Sequence, residues 1–258
     1  MKQVTAPIIS RSEVTPGVYL VWLECPEIAS PAQPGQFVMV SCGEGCLLRR
    51  PLSIHGLANN RTELALLFTV IGRGTRWLAQ CQVGDSLDLL GPLGNSFSIN
   101  PAAHNLLLVA GGMGIAPLSF VAQEALSRGC LVTLLYGTAN INRYPQALLP
   151  TGTRLVAATE DGSVGRTGNV TSLLPDFTPW ADQVFVCGPV AMYRDIAWKR
   201  QDLKLGSKPV QVSLEARMGC GLGVCYACTV KTRHGLRQVC KDGPVFDLDD
   251  VLWDELNY

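Results

Sequence analysis

Four cysteines near the end of the chain constrain it most. Cys220, Cys225, Cys228 and Cys240 stand as C-x4-C-x2-C with the fourth following after eleven further residues. That is the plant-type ligand spacing of a [2Fe–2S] cluster. Two bridged irons need four thiolates converging on one place, so the backbone must curl around the metal. Gly219, Gly221 and Gly223 interleave the first cysteines, and glycine reaches the left-handed conformations that such a curl demands. Their amides are expected to donate to the sulfurs and to raise the potential from the region of about −400 mV. A zinc site ordinarily pairs two short C-x2-4-C knuckles, and only one short pair is present. Disulfides belong to oxidising compartments, for which nothing in the sequence argues. The spacing therefore reads as an iron–sulfur centre.

Composition narrows the setting. The chain has 258 residues, 47% hydrophobic and 16% charged, enough for two domains or one large one. Its net charge of +0 offers no basic face for nucleic acid. Ten cysteines, and a start (MKQVTAPIIS) without a long apolar run for export, read as a reducing cytoplasm. The most apolar stretch, 106–122, is short of a membrane span and is broken by three glycines and Pro117.

The first hundred residues alternate short β-rich runs with Gly/Pro turns. Strands are expected at 4–9, 17–23, 36–42, 64–71 and 86–90, with one short helix near 75–80, the pattern of an antiparallel barrel. Two pieces of it carry chemistry. In Arg50-Pro51-Leu52-Ser53, a guanidinium fork suits a phosphate and a serine hydroxyl suits a ring nitrogen of a flavin. In Ile71-Gly72-Arg73-Gly74-Thr75, amides at a helix start suit a pyrophosphate.

From about residue 100 the rhythm becomes strand–helix alternation, which implies a parallel sheet. An apolar strand at 106–110 runs into Gly111-Gly112-Met113-Gly114, and Pro117 marks the start of a helix that Gly129 ends. A Gly-rich turn between strand and helix is where a dinucleotide approaches, although G-x-G-x-x-G is absent. Further strands are expected at 131–137, 154–159 and 183–187. Their carboxyl ends carry Gly137, Glu160-Asp161-Gly162 and Cys187-Gly188-Pro189, the end at which ligands bind.

In order, R-P-L-S, G-R-G-T, G-G-M-G-I-A-P-L and C-G-P resemble the ferredoxin–NADP reductase superfamily. V-S-L-E-A-R-M-G-C-G-L-G-V-C-Y-A-C and V-C-K-D-G-P-V-F narrow the resemblance to the electron-transfer subunits of class 1B dihydroorotate dehydrogenases, over essentially the whole chain. The resemblance implies an antiparallel FAD-binding β-barrel over 1–98, a parallel-sheet NAD-binding α/β domain over 99–205 and a small [2Fe–2S] cluster domain over 206–258. By it, Arg50, Pro51, Leu52 and Ser53 contact the flavin, Leu67, Phe68 and Thr69 line it, and Gly74 and Thr75 hold its pyrophosphate. Gly111, Gly112, Gly114 and Pro117 approach NAD, with Cys187, Gly188 and Pro189 near the nicotinamide. Phe68-Thr69 stands where relatives often have Tyr-Arg, which removes a cation near the flavin. The loop after Gly137 lacks an expected arginine, and a lone Arg143 is too little for a 2′-phosphate, which favours NADH over NADPH.

The implied role is a relay. NADH yields two electrons together and a cluster takes one at a time, so FAD must stand between them. The partner implied is an FMN-containing dihydroorotate dehydrogenase catalytic subunit, two of each forming a heterotetramer, with electrons running from dihydroorotate through FMN, cluster and FAD to NAD+ in pyrimidine biosynthesis. Apolar Met218, Leu222, Val224 and Tyr226 beside the cysteines either face that partner or pack inward. The alternatives are an NAD(P)H reductase or diaphorase subunit for a ferredoxin, hydrogenase or sulfide reductase, and a zinc-stabilised nucleotide-binding regulator. Cys42 and Cys46 have no partner ligands in sight, and Cys25, Cys81 and Cys130 read as inert thiols. The histidines show no ligand spacing, and the acidic tail from Asp247 to Tyr258 reads as a solvated helix ahead of the alternative, a partner-facing arm.

Overall fold

A computed structural model describes residues 1–140 and 148–256; Arg143 lies outside them. Six strands close an antiparallel barrel: β1 (Lys2–Thr15), β2 (Val18–Glu24), β3 (Phe37–Val40), β4 (Arg50–Ala58), β5 (Glu63–Thr69) and β6 (Ser86–Leu93), in the order β1-β2-β5-β4-β3-β6. Two short helices, α1 (Pro26–Ala29) and α2 (Arg73–Leu78), fill its connections. Alternation sorts the side chains of β3. Val38 and Val40 enter the barrel core, while Phe37 and Met39 point outward into a second core. Strand β4 is an addition to the sequence reading, which took 50–53 only as a motif. Pro51 argues against a strand because it donates no N–H, yet it pairs with Met39 beside Val38↔Leu52 and Phe37↔Ser53.

The second sheet is built of β7 (Asn105–Gly111), β8 (Leu131–Thr138), β9 (Arg154–Thr159), β10 (Arg166–Thr167), β11 (Gln183–Cys187), β12 (Val210–Ser213) and β15 (Val245–Asp247). They lie in the order β10-β9-β8-β7-β11-β12-β15. All pairings are parallel except that of β12 with β15. Helix α3 (Ile115–Ser127) packs between barrel and sheet, α4 (Leu174–Phe177) is a single turn, and α5 (Val190–Trp198) follows β11. A hairpin of β13 (Thr229–Thr232) and β14 (Gly235–Gln238) leads into the one-turn α6 (Val239–Asp242). Among the described residues no helix is long and apolar enough to cross a membrane.

Carboxamides sew these parts together. Gln123 of α3 accepts from Leu57 N at 2.9 Å and donates to Leu57 O at 2.5 Å, clasping both backbone groups of one barrel residue. Gln211 of β12 does the same to Ser98, at 2.9 and 3.2 Å. Asn95 does it to Val245, at 2.9 and 2.8 Å, and donates also to Asp242 O at 3.0 Å. Each amide pairs a backbone donor and a backbone acceptor of one residue, as a neighbouring strand would. His55 adds a fourth tie, its Nδ1 lying 3.1 Å from Ala116 O. Burial holds that imidazole down at about 4, so it is neutral at pH 7.

The acidic tail departs from the solvated helix expected of it. It ends β15 at Asp247, makes a single 3-10 turn at Trp253–Glu255, and buries Leu248, Val251, Trp253 and Leu256. Val251 bridges to Thr232 and Leu252 N donates to Lys231 O at 3.1 Å, so the hairpin claims the chain before a helix can form.

Asn95→Ala removes the clasp on Val245. It is expected to lower stability by about 1–2 kcal/mol, read from denaturant unfolding. Limited proteolysis of that variant should open the chain first beyond Cys240.

Candidate functional site

The cysteines lie in one loop and one helical turn. Cys220, Cys225 and Cys228 come from the segment between β12 and β13, and Cys240 comes from α6. Gly221 and Gly223 hold φ of +75° and +79°, as the curl requires. Gly219 does not have positive φ; a Cβ there would sit 3.2 Å from Cys225 Sγ, so its bareness makes room for the thiol. Backbone amides aim at the sulfurs: Leu222 N at Cys220 Sγ (3.2 Å), Gly223 N at Cys240 Sγ (3.1 Å) and Cys240 N at Cys228 Sγ (3.4 Å). The thiols approach in pairs, Cys220 beside Cys225 and Cys228 beside Cys240. Among the described residues no three or more Cys, His, Asp or Glu are drawn together as a metal ion would hold them. Cys220, Cys225, Cys228 and Cys240 are the four thiolates that would hold a bridged iron pair.

The electrostatics are uneven. Burial pushes the Cys220 thiol up, but the amides of Leu222, Cys225 and Val224 outweigh it and bring it down to about 6. Cys240 is pushed up to about 12, first by burial and then by Cys228, against the single amide of Gly223. Bound iron would supply the charge that lets such buried sulfurs ionise. The donor set and its amide cradle fit a cluster. Around it Leu222, Val224 and Tyr226 are exposed, whereas Met218 is half-buried against the core.

The cysteine loop rests on the barrel. A Cβ on Gly221 would lie 2.6 Å from Met39 Cγ and 3.3 Å from Leu93 Cδ1. Met39 opposes Pro51, and Phe37 opposes Ser53, so Pro51 and Ser53 share the outer face on which the loop sits. Leu52 turns the other way, into the barrel. On β5, Phe68 also points into the barrel, stacked on Tyr19 at 5.9 Å, while Leu67 joins the core around α3 and Thr69 is half-buried. Of these three, Leu67 and Thr69 share the outer face by alternation. The two barrel motifs meet: a Cβ on Gly74 would come within 2.8 Å of Arg50 Nε. Thr75 Oγ1 accepts from Ile71 N and Gly72 N, at 3.0 and 3.2 Å, and so shapes the turn beside that guanidinium. The cation and the turn fit a phosphate. Cys42 is buried nearby, and burial pushes its thiol to about 11, with Arg50 opposing.

The glycines after β7 meet the turn after β11. A Cβ on Gly114 would overlap Cys187 O at 1.9 Å, and one on Gly111 would reach Pro189 Cδ at 2.7 Å. The backbones touch because neither residue has a side chain. Gly112 sits at φ +53°, and Pro117 is buried in the first turn of α3, where a missing N–H leaves no bond unmade. Beside this contact lies a cavity of about 510 Å³, lined by Gly188, Pro189, Tyr193, Arg194, Glu215 and Leu256 among others. Cys187 is fully buried, and burial raises its thiol well above the ordinary range, with Glu215 adding to the effect. Glu215 and Tyr193 escaped the sequence reading as site residues, although Glu215 stands within the V-S-L-E motif.

In protein freed of iron, Cys220 should alkylate ahead of Cys228 and Cys240 at pH 7. Its rate should fall as the thiolate is protonated below its pKa of about 6. Iodoacetamide pulses with peptide mapping measure both.

Residues 215–252 match the iron–sulfur cluster binding domain of dihydroorotate dehydrogenase B. The dihydroorotate dehydrogenase B (NAD(+)) electron transfer subunit of Desulforamulus reducens is 38% identical, over 96% of this chain and 98% of its own. A solved structure of an NADH-dependent reduced ferredoxin–NADP oxidoreductase, studied for flavin-based electron bifurcation, superposes with a TM-score of 0.84 at 29% identity, covering 97% of this chain and 91% of that one. A ferredoxin–NADP+ reductase from Neisseria gonorrhoeae, solved with FAD and NADP, shares the fold at a TM-score of 0.65 and 20% identity, over 79% of this chain and 92% of that one. By sequence likeness over nearly its full length, the chain belongs to the family of dihydroorotate dehydrogenase B electron transfer subunits.

Proposed function

We propose that this chain relays electrons between the FMN of a dihydroorotate-oxidising catalytic subunit and NAD+, through a [2Fe–2S] cluster and FAD, in pyrimidine biosynthesis. One observation carries the reading: a single apolar core joins Phe37 and Met39 of the barrel, Val109 and Val186 of the parallel sheet, and Cys228 and Cys240 of the cysteine module. Three surfaces with three different chemistries are thereby held side by side.

The roles divide along 1–98 for FAD, 99–205 for NAD(H) and 206–258 for the cluster. Arg50 would neutralise a flavin phosphate beside Gly74 and Thr75. Pro51 and Ser53 would face the flavin ring, with the Ser53 hydroxyl a donor to it, and Leu67 and Thr69 would border it. Leu52 and Phe68 act from inside the barrel by holding their strands in place. Gly111, Gly112, Gly114 and Pro117 would receive the dinucleotide, with Cys187, Gly188 and Pro189 at its nicotinamide end. Cys220, Cys225, Cys228 and Cys240 would hold the cluster. FAD, when bound, exchanges electrons in pairs with NAD(H) and singly with the cluster; the protein sets orientation and potential. The exposed rim of Leu222, Val224 and Tyr226 is the apolar surface a catalytic subunit would cover, in a heterotetramer of two of each. A reductase module serving a ferredoxin is the second reading, favoured by the likeness to the ferredoxin–NADP oxidoreductase chain. Co-purification with a dihydroorotate-oxidising subunit separates the two.

Cys225→Ser tests the relay. The variant should lose cluster absorption and transfer to the partner, yet keep NADH-to-dye activity at the flavin. Loss of both activities with an intact fold would make the cluster a structural staple and end the relay reading. A colourless wild-type protein containing zinc would end it as well.

A further inference from the structure

We propose that Tyr193 is a positioning residue for NAD(H): its hydroxyl fixes the Gly188 peptide at the nucleotide turn, and the C-terminal tail holds its ring. This rests on the reading that Cys187-Gly188-Pro189 takes the nicotinamide. Gly188 N donates to the Tyr193 hydroxyl at 2.9 Å, and the hydroxyl donates to Ser213 O at 2.5 Å. One phenol thus ties the carboxyl ends of β11 and β12, the end of a parallel sheet at which ligands bind. Tyr193 is 1% exposed, so water does not replace the hydroxyl if it is removed. Gly188 is wedged as well: a Cβ there would lie 2.5 Å from Met192 Cε and 3.0 Å from Gly111 Cα. A shift of Gly188 therefore moves the Gly111 turn that faces the same ligand.

The ring is held from behind. It stacks on Trp253 with centroids 5.2 Å apart and planes at 27°. Arg194, the next residue of α5, donates to Trp253 O at 2.9 Å and to Leu256 O at 2.6 Å. Trp253 Nε1 donates to Leu248 O at 2.8 Å, and Leu256 closes one wall of the cavity beside Gly188. The tail that does this is also bonded to the hairpin of the cysteine module, through Leu252 N and Lys231 O. The nucleotide turn and the cluster module share one support.

Tyr193→Phe in the holoprotein keeps the ring and its stack and removes only the hydroxyl. The dissociation constant for NAD+, from isothermal titration of the oxidised protein, should rise about tenfold, as for a buried backbone donor left unpaired. The KM for NADH in a dye-linked assay should rise alike, with kcat changing by less than about twofold. Flavin and cluster absorption should match the wild type. Trp253→Leu, which loosens the ring and spares the hydroxyl, should give the same split to a smaller degree. Unchanged binding in Tyr193→Phe overturns the proposal. So does an equal fall in kcat, or loss of the flavin or cluster bands, since each marks general packing. If the wild type itself binds no NAD+, the nucleotide reading falls, and the proposal with it.

Discussion

Met39 leaves β3 on the outer face of the barrel, and Gly221 of the cysteine loop comes down on it with no side chain between them. That contact is what joins a metal-binding loop to the strand pair carrying Pro51 and Ser53. It forms only because alternation turns Met39 outward while Val38 and Val40 face in, and because the loop is bare at one residue. A methyl group at 221 would collide with the Met39 side chain, and close-packed interiors have no slack to absorb that. The placing of that barrel face against the sulfur cage is in this sense a packing result before it is a redox one.

The four sulfurs are not equivalent. Cys220 lies where three amides converge, and Cys240 lies among other thiols with one. Among the four, Cys225 is the one exposed sulfur, and it stands among the exposed apolar residues of the loop.

The rhythm of strands was legible in the chain because Gly/Pro turns and apolar runs are local signals. β7, β8, β9 and β11 fall within a residue of their expected bounds. Strand β4 was hidden by Pro51, which offers no N–H to a ladder, although the strand pairs with β3 from Arg50 to Ser53. The tail misled for a similar reason. Its apolar residues at 248, 251, 252 and 256 mimic helical spacing, but Asp247 closes a turn on Asp249 N at 2.9 Å and the hairpin takes the rest. At the site, the motifs were visible as strings, and the fold brings Arg50 to Gly74 and Gly114 to Cys187. Alternation along β5, which sends Phe68 inward, was not used in reading 67–69 as a lining. Tyr193 left no mark in the sequence at all, because its partners Gly188 and Ser213 meet it only once β11 and β12 lie side by side.

The three carboxamide clasps, Gln123 on Leu57, Gln211 on Ser98 and Asn95 on Val245, carry no charge. Ion pairs across such seams would weaken as ionic strength rose, and carboxylates would let go in acid. Dipole-to-dipole fastening is indifferent to both. These three fastenings therefore hold alike in dilute and in concentrated salt, whereas the Arg61–Glu124 ion pair at 3.9 Å, beside the first of them, loosens as salt rises.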